Sequence, residues 1–146
     1  MIIRAWCDGS SLKGGGAGAG VALKVMDNGK EVRKYGLTLP LAKNATNNEA
    51  EYQAILLAIK SAIDLSREWN DQYPLICKIY TDSELAVKQI SGDYRVKNKN
   101  LKRIHAQIVE LMKGRKFEVA HIPREENEQA DALSRTAALL SAAKSS

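Results

Sequence analysis

Three short strand-like segments joined by tight turns, followed by helices alternating with single strands, constrain this chain more than any other feature. Ile2 to Cys7 reads as a first strand. After a glycine-rich turn, Ala19 to Met26 alternate in side-chain character, Asp27-Asn28-Gly29 signals a hairpin, and Lys30 to Leu37 return as a third strand. Strands joined so closely pair antiparallel, as a meander. A loop around Pro40 leads to a long helix, capped by Thr46 or Asn47 and running to about Trp69, with Ala50, Ala54, Leu57 and Ala58 on a wide buried face. Leu75 to Tyr80 is nearly continuous in apolar residues, as a central strand should be.

A short helix is expected from Ser83 to Gly92, and Leu101, Ile104, Ile108, Leu111 and Met112 mark an amphipathic one. Lys116 to Ile122 is a fifth strand broken by Pro123. Ala130, Leu133, Ala137 and Leu140 then place a last helix on the sheet, and the tail Ala142 to Ser146 is expected to fray. The order βββαβααβα describes an α/β fold. Its five-stranded mixed sheet is antiparallel over strands 1-2-3, parallel over strands 1-4-5, and flanked by helices on both faces.

The 146 residues suit one domain, 1–146, large enough to bury a core without disulfides. Cys7 and Cys77 have no metal-ligand spacing. If their strands are parallel neighbours, an offset of four residues puts them roughly 13 Å apart, too far to bridge. Free thiols, the absence of a membrane-length apolar run and a start without signal-peptide zones make the cytoplasm the expected location. The net charge of +5 is uneven: Asp93 to Arg124 holds nine Lys/Arg against three Asp/Glu, while the remainder holds 13 against 14. A basic lobe of that kind fits a polyanion, although a single charged run is more often a solvated helix face.

Four acids make that fit specific. Asp8 follows the first strand and Asp82 the fourth, at the carboxyl ends where open α/β sheets bind ligands. Glu51 and Asp131 stand in the opening turns of helices. A lone acid there serves the helix dipole. Four together, with Asn47, Asn48 and Asn127 beside them and no base in those turns, call for divalent cations. The Gly14-to-Gly20 stretch is not a dinucleotide grip, because a period-2 strand follows it instead of a helix.

Asp8-Gly9, Thr46-Asn47-Asn48-x-x-Glu51, Thr81-Asp82-Ser83 and Pro123-Arg124-Glu125-x-Asn127-x-x-Ala130-Asp131, in this order, resemble type 1 ribonuclease H. The likeness spans Ile2 to about Leu140 and the compact form of the family, without an inserted basic helix and loop. It implies the ribonuclease H-like fold and metal-dependent hydrolysis of the RNA strand of RNA–DNA hybrids by a two-metal-ion mechanism, leaving 5′-phosphate and 3′-hydroxyl ends. It also implies two Mg²⁺ ions, with Mn²⁺ as a substitute, held by Asp8, Glu51, Asp82 and Asp131; Asp8 bridges them, and Glu49 is off register.

Substrate contacts are expected from Gly9, Ser10, Asn47, Asn48, Ser83 and Asn127, with Arg95, Lys97, Lys99 and Lys102 on phosphates of the DNA strand. The chain departs from the family at its first turn, Ser10-Ser11-Leu12-Lys13-Gly14 where Asn-Pro-Gly is common, and in lacking a histidine on the loop before the last helix. Arg124 or Glu125 is expected to serve there; His121 and His105 are read as structural. A hybrid- or double-stranded-RNA-gripping module without catalysis, a DNA-cutting relative and a glycosidase are the competing classes. The full set of acids argues against the first, the asparagine motifs against the second, and the basic lobe with few aromatics against the third. A monomer without membrane contact is expected.

Overall fold

A computed structural model, describing residues 1–68 and 74–144, builds one five-stranded sheet in the order β3-β2-β1-β4-β5. The strands are β1 (Ile2–Ser11), β2 (Ala17–Asp27), β3 (Lys30–Leu41), β4 (Ile76–Thr81) and β5 (Lys116–His121). The helices are α1 (Asn47–Glu68), α2 (Glu84–Ile90), α3 (Lys99–Met112) and α4 (Glu128–Ala143), with a 3-10 turn at Arg124–Glu126 before α4. Antiparallel pairing joins β1 to β2 and β2 to β3, and parallel pairing joins β1 to β4 and β4 to β5. The expected architecture and element order are present. Trp69 lies outside the described residues, as does the end of the tail, and Ala142 is still helical.

Two boundaries moved for physical reasons. β1 does not stop at Cys7: β2 pairs with it as far as Ser11↔Ala17, whereas β4 leaves it at Cys7↔Thr81. β3 runs through Pro40, which pairs with Gly18. Because β3 is an edge strand, a residue without an N–H is tolerated there. Cys77 aligns with Ile3, four residues from Cys7, and both thiols are free and buried, as the offset argument required.

The two faces of the sheet are packed differently. Ile3, Ala5, Cys7, Val21, Leu23 and Ile79 belong to a core with Ile55, Ala58 and Ile59 of α1 and Ile104 and Ile108 of α3. On the other face α4 lies against β2 through Ala130, Ser134, Ala137, Ala138 and Ser141. A Cβ on Gly18 would fall 2.4 Å from the Ala138 nitrogen, and one on Gly20 2.4 Å from the Ser134 nitrogen. These glycines therefore seat the helix directly on the strand backbone. Leu140, expected against the sheet, is 48% exposed because a contact this close takes small side chains; Leu133 packs instead over Gly36. No described helix is long and apolar enough to cross a membrane.

Candidate active site

The sheet splits at Asp8. Cys7 is the last residue of β1 paired with β4, so Asp8 is the first to face a gap on that side, and Asp82 is the first residue beyond β4. α1 closes the gap from the opposite face. Its start is capped by Thr46, whose hydroxyl accepts from the Glu49 N–H at 3.1 Å and donates to the Glu49 carboxylate at 3.3 Å. Glu49 is thus a capping residue, and Glu51 turns inward. Gly9 makes this possible: a Cβ there would lie 2.3 Å from the Ala50 carbonyl carbon and the Glu51 nitrogen. Expected as a substrate contact, Gly9 is the point where helix and strand backbones touch.

Asp8, Glu51 and Asp82 each bring a carboxylate oxygen within 4.8 Å of the others. Burial pushes the Asp8 carboxyl up to about 7; the Ser134 hydrogen bond opposes the shift, and Asp82 and Asp131 add to it. Glu51 is pushed up to about 9, first by burial and then by the negative charges of Asp8 and Asp82, while the Gly9 N–H pulls the other way. Glu51 Oε2 is buried with no hydrogen-bond partner. A hard divalent cation with oxygen ligands fits this donor set: it would satisfy the orphaned oxygen and offset the repulsion.

The fourth acid is placed differently. Asp131 stands beside Asp8 on α4, but its Oδ2 lies 3.3 Å from the Arg135 guanidinium one turn on. No base was expected among these turns; Arg135, at i+4, supplies one. Ser134 was also missed. It is fully buried, donates to Asp8 Oδ2 at 2.7 Å, and lies 2.7 Å from Ser10 Oγ and 2.8 Å from the Asp131 carbonyl. Ser10 is therefore held inward by Ser134. Asn127, expected to touch substrate, is 1% exposed and donates through Nδ2 to the Cys7 carbonyl at 2.7 Å. It pins the start of α4 to β1 next to Asp8.

An open cleft of about 330 Å³ leads to the acids, lined by Asn47, Asn48, Glu51, Asp82, Ser83 and Arg124. Ser83 also caps α2, accepting from the Ala86 N–H at 3.2 Å. Glu125 is exposed on the 3-10 turn and does not line the cleft. Arg95, Lys97, Lys99 and Lys102 are exposed along the α2–α3 connection and the start of α3 and are not among the residues that line the cleft. His105 bonds through Nε2 to the Gln89 carbonyl at 3.0 Å and neighbours Tyr52, a packing role; His121 is an exposed strand end.

The model of the reverse transcriptase-like family matches residues 7–137, nearly the whole chain. The chain belongs to the reverse transcriptase-like family. This reverse transcriptase-like domain is 32% identical over 136 residues to ribonuclease HI of Halobacterium salinarum, covering 92% of the chain and 63% of that relative's length. It spans 24% of the length of the mycobacterial bifunctional protein Rv2228c. Among solved structures, the N-terminal RNase H domain of Rv2228c from Mycobacterium tuberculosis superposes with a TM-score of 0.81 at 25% identity, covering 99% of both chains. LC11-RNase H1, isolated from compost and solved with an RNA/DNA hybrid, gives 0.74 at 29% identity, covering 97% of this chain and 99% of the other. The fold of this reverse transcriptase-like domain is the ribonuclease H fold. In it the departing first turn is partly strand: Ser10 and Ser11 stay in β1, and Ser11 Oγ donates to the Ala45 carbonyl at 2.9 Å, tying β1 to the approach to α1.

Proposed function

We propose that the chain is a ribonuclease H that hydrolyses the RNA strand of RNA–DNA hybrids with divalent metal, leaving 5′-phosphate and 3′-hydroxyl ends. The observation that carries this is the trio Asp8, Glu51 and Asp82 within 4.8 Å, with a buried Glu51 oxygen left unpartnered. The halobacterial relative named ribonuclease HI and the hybrid-bound neighbour support the substrate class.

Asp8, Glu51, Asp82 and Asp131 would hold two Mg²⁺ ions, Asp8 shared between a site with Glu51 and Asp82 and a site with Asp131, with Mn²⁺ as a substitute. Such ions would supply a water of lowered pKa and stabilise a leaving oxygen. Ser134 holds Asp8 Oδ2 in place, and Arg135 would compete with a cation for Asp131 Oδ2. Asn47 and Asn48, which line the cleft with Glu51, would meet 2′-hydroxyls, the groups that distinguish RNA from DNA. Arg124 would meet phosphate in the cleft, and Arg95, Lys97, Lys99 and Lys102 would hold the DNA strand. Residues 1–146 are taken as one domain acting as a cytoplasmic monomer. Double-stranded RNA, with 2′-hydroxyls on both strands, is the second substrate to test.

The test is cleavage of a labelled hybrid in Mg²⁺ and in Mn²⁺ by the native chain and by Asp8→Asn. Cutting confined to the RNA strand and abolished by the substitution is expected. Binding without cutting in either metal would overturn the enzyme in favour of a gripping module.

A further inference from the structure

One face of the sheet below the start of α4 is open and carries an ordered set of cations. Side chains of Arg4, Trp6 and Asp8 share a side of β1 by strand alternation, the side on which Asp8 meets Ser134 of α4. Register then aligns Lys34, Lys24, Arg4 and Lys78 in one row across β3, β2, β1 and β4. Arg4 and Lys34 are exposed, and Ile2 in the next row is 38% exposed. Four adjacent strands place those cations across about 14 Å. Two acids temper the row: Glu31 lies 3.5 Å from Lys24, and Glu118 follows Lys78 on β5.

The row nearer the acids is aromatic. Trp6 and Tyr80 are register partners with ring centroids 5.1 Å apart, and Lys24 Nζ sits 5.3 Å from the Trp6 centroid. Both rings are partly exposed. Beside them a cavity of about 250 Å³ is lined by Trp6, Lys24, Glu126 and Gln129. From Asp8 along β1, the path therefore meets an aromatic pair and then, about 13 Å away, a basic row. An open sheet face with aromatic and cationic side chains is how several folds take single strands: bases lie on the rings and phosphates meet the cations.

We propose that this face binds a single-stranded nucleic-acid tail continuous with the duplex held at the acids. The proposal rests on the proposed function only in taking the hybrid as the source of that tail. Charge complementarity and continuity with Asp8 along one strand select a polyanion with exposed bases over an apolar partner.

The experiment compares fluorescence anisotropy of a blunt RNA–DNA hybrid with that of the same hybrid bearing ten-nucleotide single-stranded tails of either polarity, without divalent metal. One tail polarity is expected to tighten binding about fivefold. The double variant Arg4→Gln, Lys34→Gln should erase that advantage and lower the salt slope for the tailed hybrid by about 1.4, two cations at ~0.7 each. Blunt-hybrid affinity and cleavage in Mg²⁺ should not change. Glu118→Gln should strengthen tail binding, a gain that misfolding cannot produce. Equal affinity of the native chain for blunt and tailed hybrids overturns the proposal. So does an equal loss for both in the double variant, which would make the face a duplex contact or leave it for a protein partner. If the native chain cuts no hybrid in Mg²⁺ or Mn²⁺, the proposed activity fails while the anisotropy comparison still decides the tail.

Discussion

The α1 side and the α4 side of the acidic cluster are built on opposite principles. On the α1 side, Glu51 is buried against Asp8 and Asp82 with one oxygen unpartnered, so the Gly9 N–H offsets only part of the burial and repulsion. On the α4 side every acid has a partner, Asp131 on Arg135 and Asp8 on Ser134. The difference teaches that a cation gains most at Glu51, whereas at Asp131 it competes with a guanidinium. The two proposed metal positions should therefore fill at different concentrations.

The largest effect that could break this comparison is in activity. Glu51→Gln should lower hybrid cleavage in Mg²⁺ by about 10³-fold, equivalent to about 4 kcal/mol of lost transition-state stabilisation. Asp131→Asn should retain more activity and be partly restored by raising Mg²⁺. Single-turnover rates across a Mg²⁺ series check both, and equal, unrecoverable losses would erase the distinction.

Stability without metal comes next. Asp8 at about 7 against an ordinary 3.8, and Glu51 at about 9 against 4.5, both titrate higher in the folded chain than in the unfolded one. The metal-free fold holds protons that the unfolded chain releases, so its stability falls as pH rises from about 4 towards 9. At pH 8, Glu51→Gln should raise the metal-free Tm by about 3 °C or more, about 1 kcal/mol for a chain of this size. Millimolar Mg²⁺ should raise the native Tm more at pH 8 than at pH 6, and should not do so in the variant. Thermal melts at both pH values in chelator and in Mg²⁺ would show it.

Ser134→Ala probes the α4 side. It removes a hydrogen bond to a charged group, about 1.5–3 kcal/mol, so kcat should drop roughly tenfold or more with KM for hybrid unchanged. Steady-state kinetics with a Mn²⁺ titration checks it. The smallest effect belongs to Arg135→Gln. Its ion pair with Asp131 is largely exposed on the arginine side and is worth about 0–1 kcal/mol. The Mg²⁺ concentration for half-maximal rate should fall by up to about fivefold; a rise would mean that Arg135 helps to hold Asp131 in place.

The skeleton of this site was legible because strand ends and helix starts carry local signals. A turn after an apolar run marked Asp8 and Asp82, and Thr46 or Asn47 as a cap marked the start of α1; the choice of Glu51 over Glu49 came from the resemblance to type 1 ribonuclease H. What stayed hidden depended on contacts distant in sequence. Ser134 and Arg135 stand at i+3 and i+4 from Asp131, which shows a shared helix face but not that Asp8 lies across from it, 126 residues away from Ser134. Asn127 looks the same in sequence whether it reaches solvent or the Cys7 carbonyl. Leu140 was misassigned because apolar periodicity cannot report how closely a helix is seated; Gly18 and Gly20 decide that from another strand.

That seating of α4 has a practical meaning for anyone re-engineering the domain. A helix resting on glycine backbone has its height above the sheet fixed by main chain, so exchanging branched side chains on the α1 face transmits little to Asp131. Libraries aimed at heat resistance can draw their substitutions from the Ile59 and Ile108 layer, leave Gly18, Gly20 and the alanines of α4 untouched, and keep the height of Asp131 above the sheet.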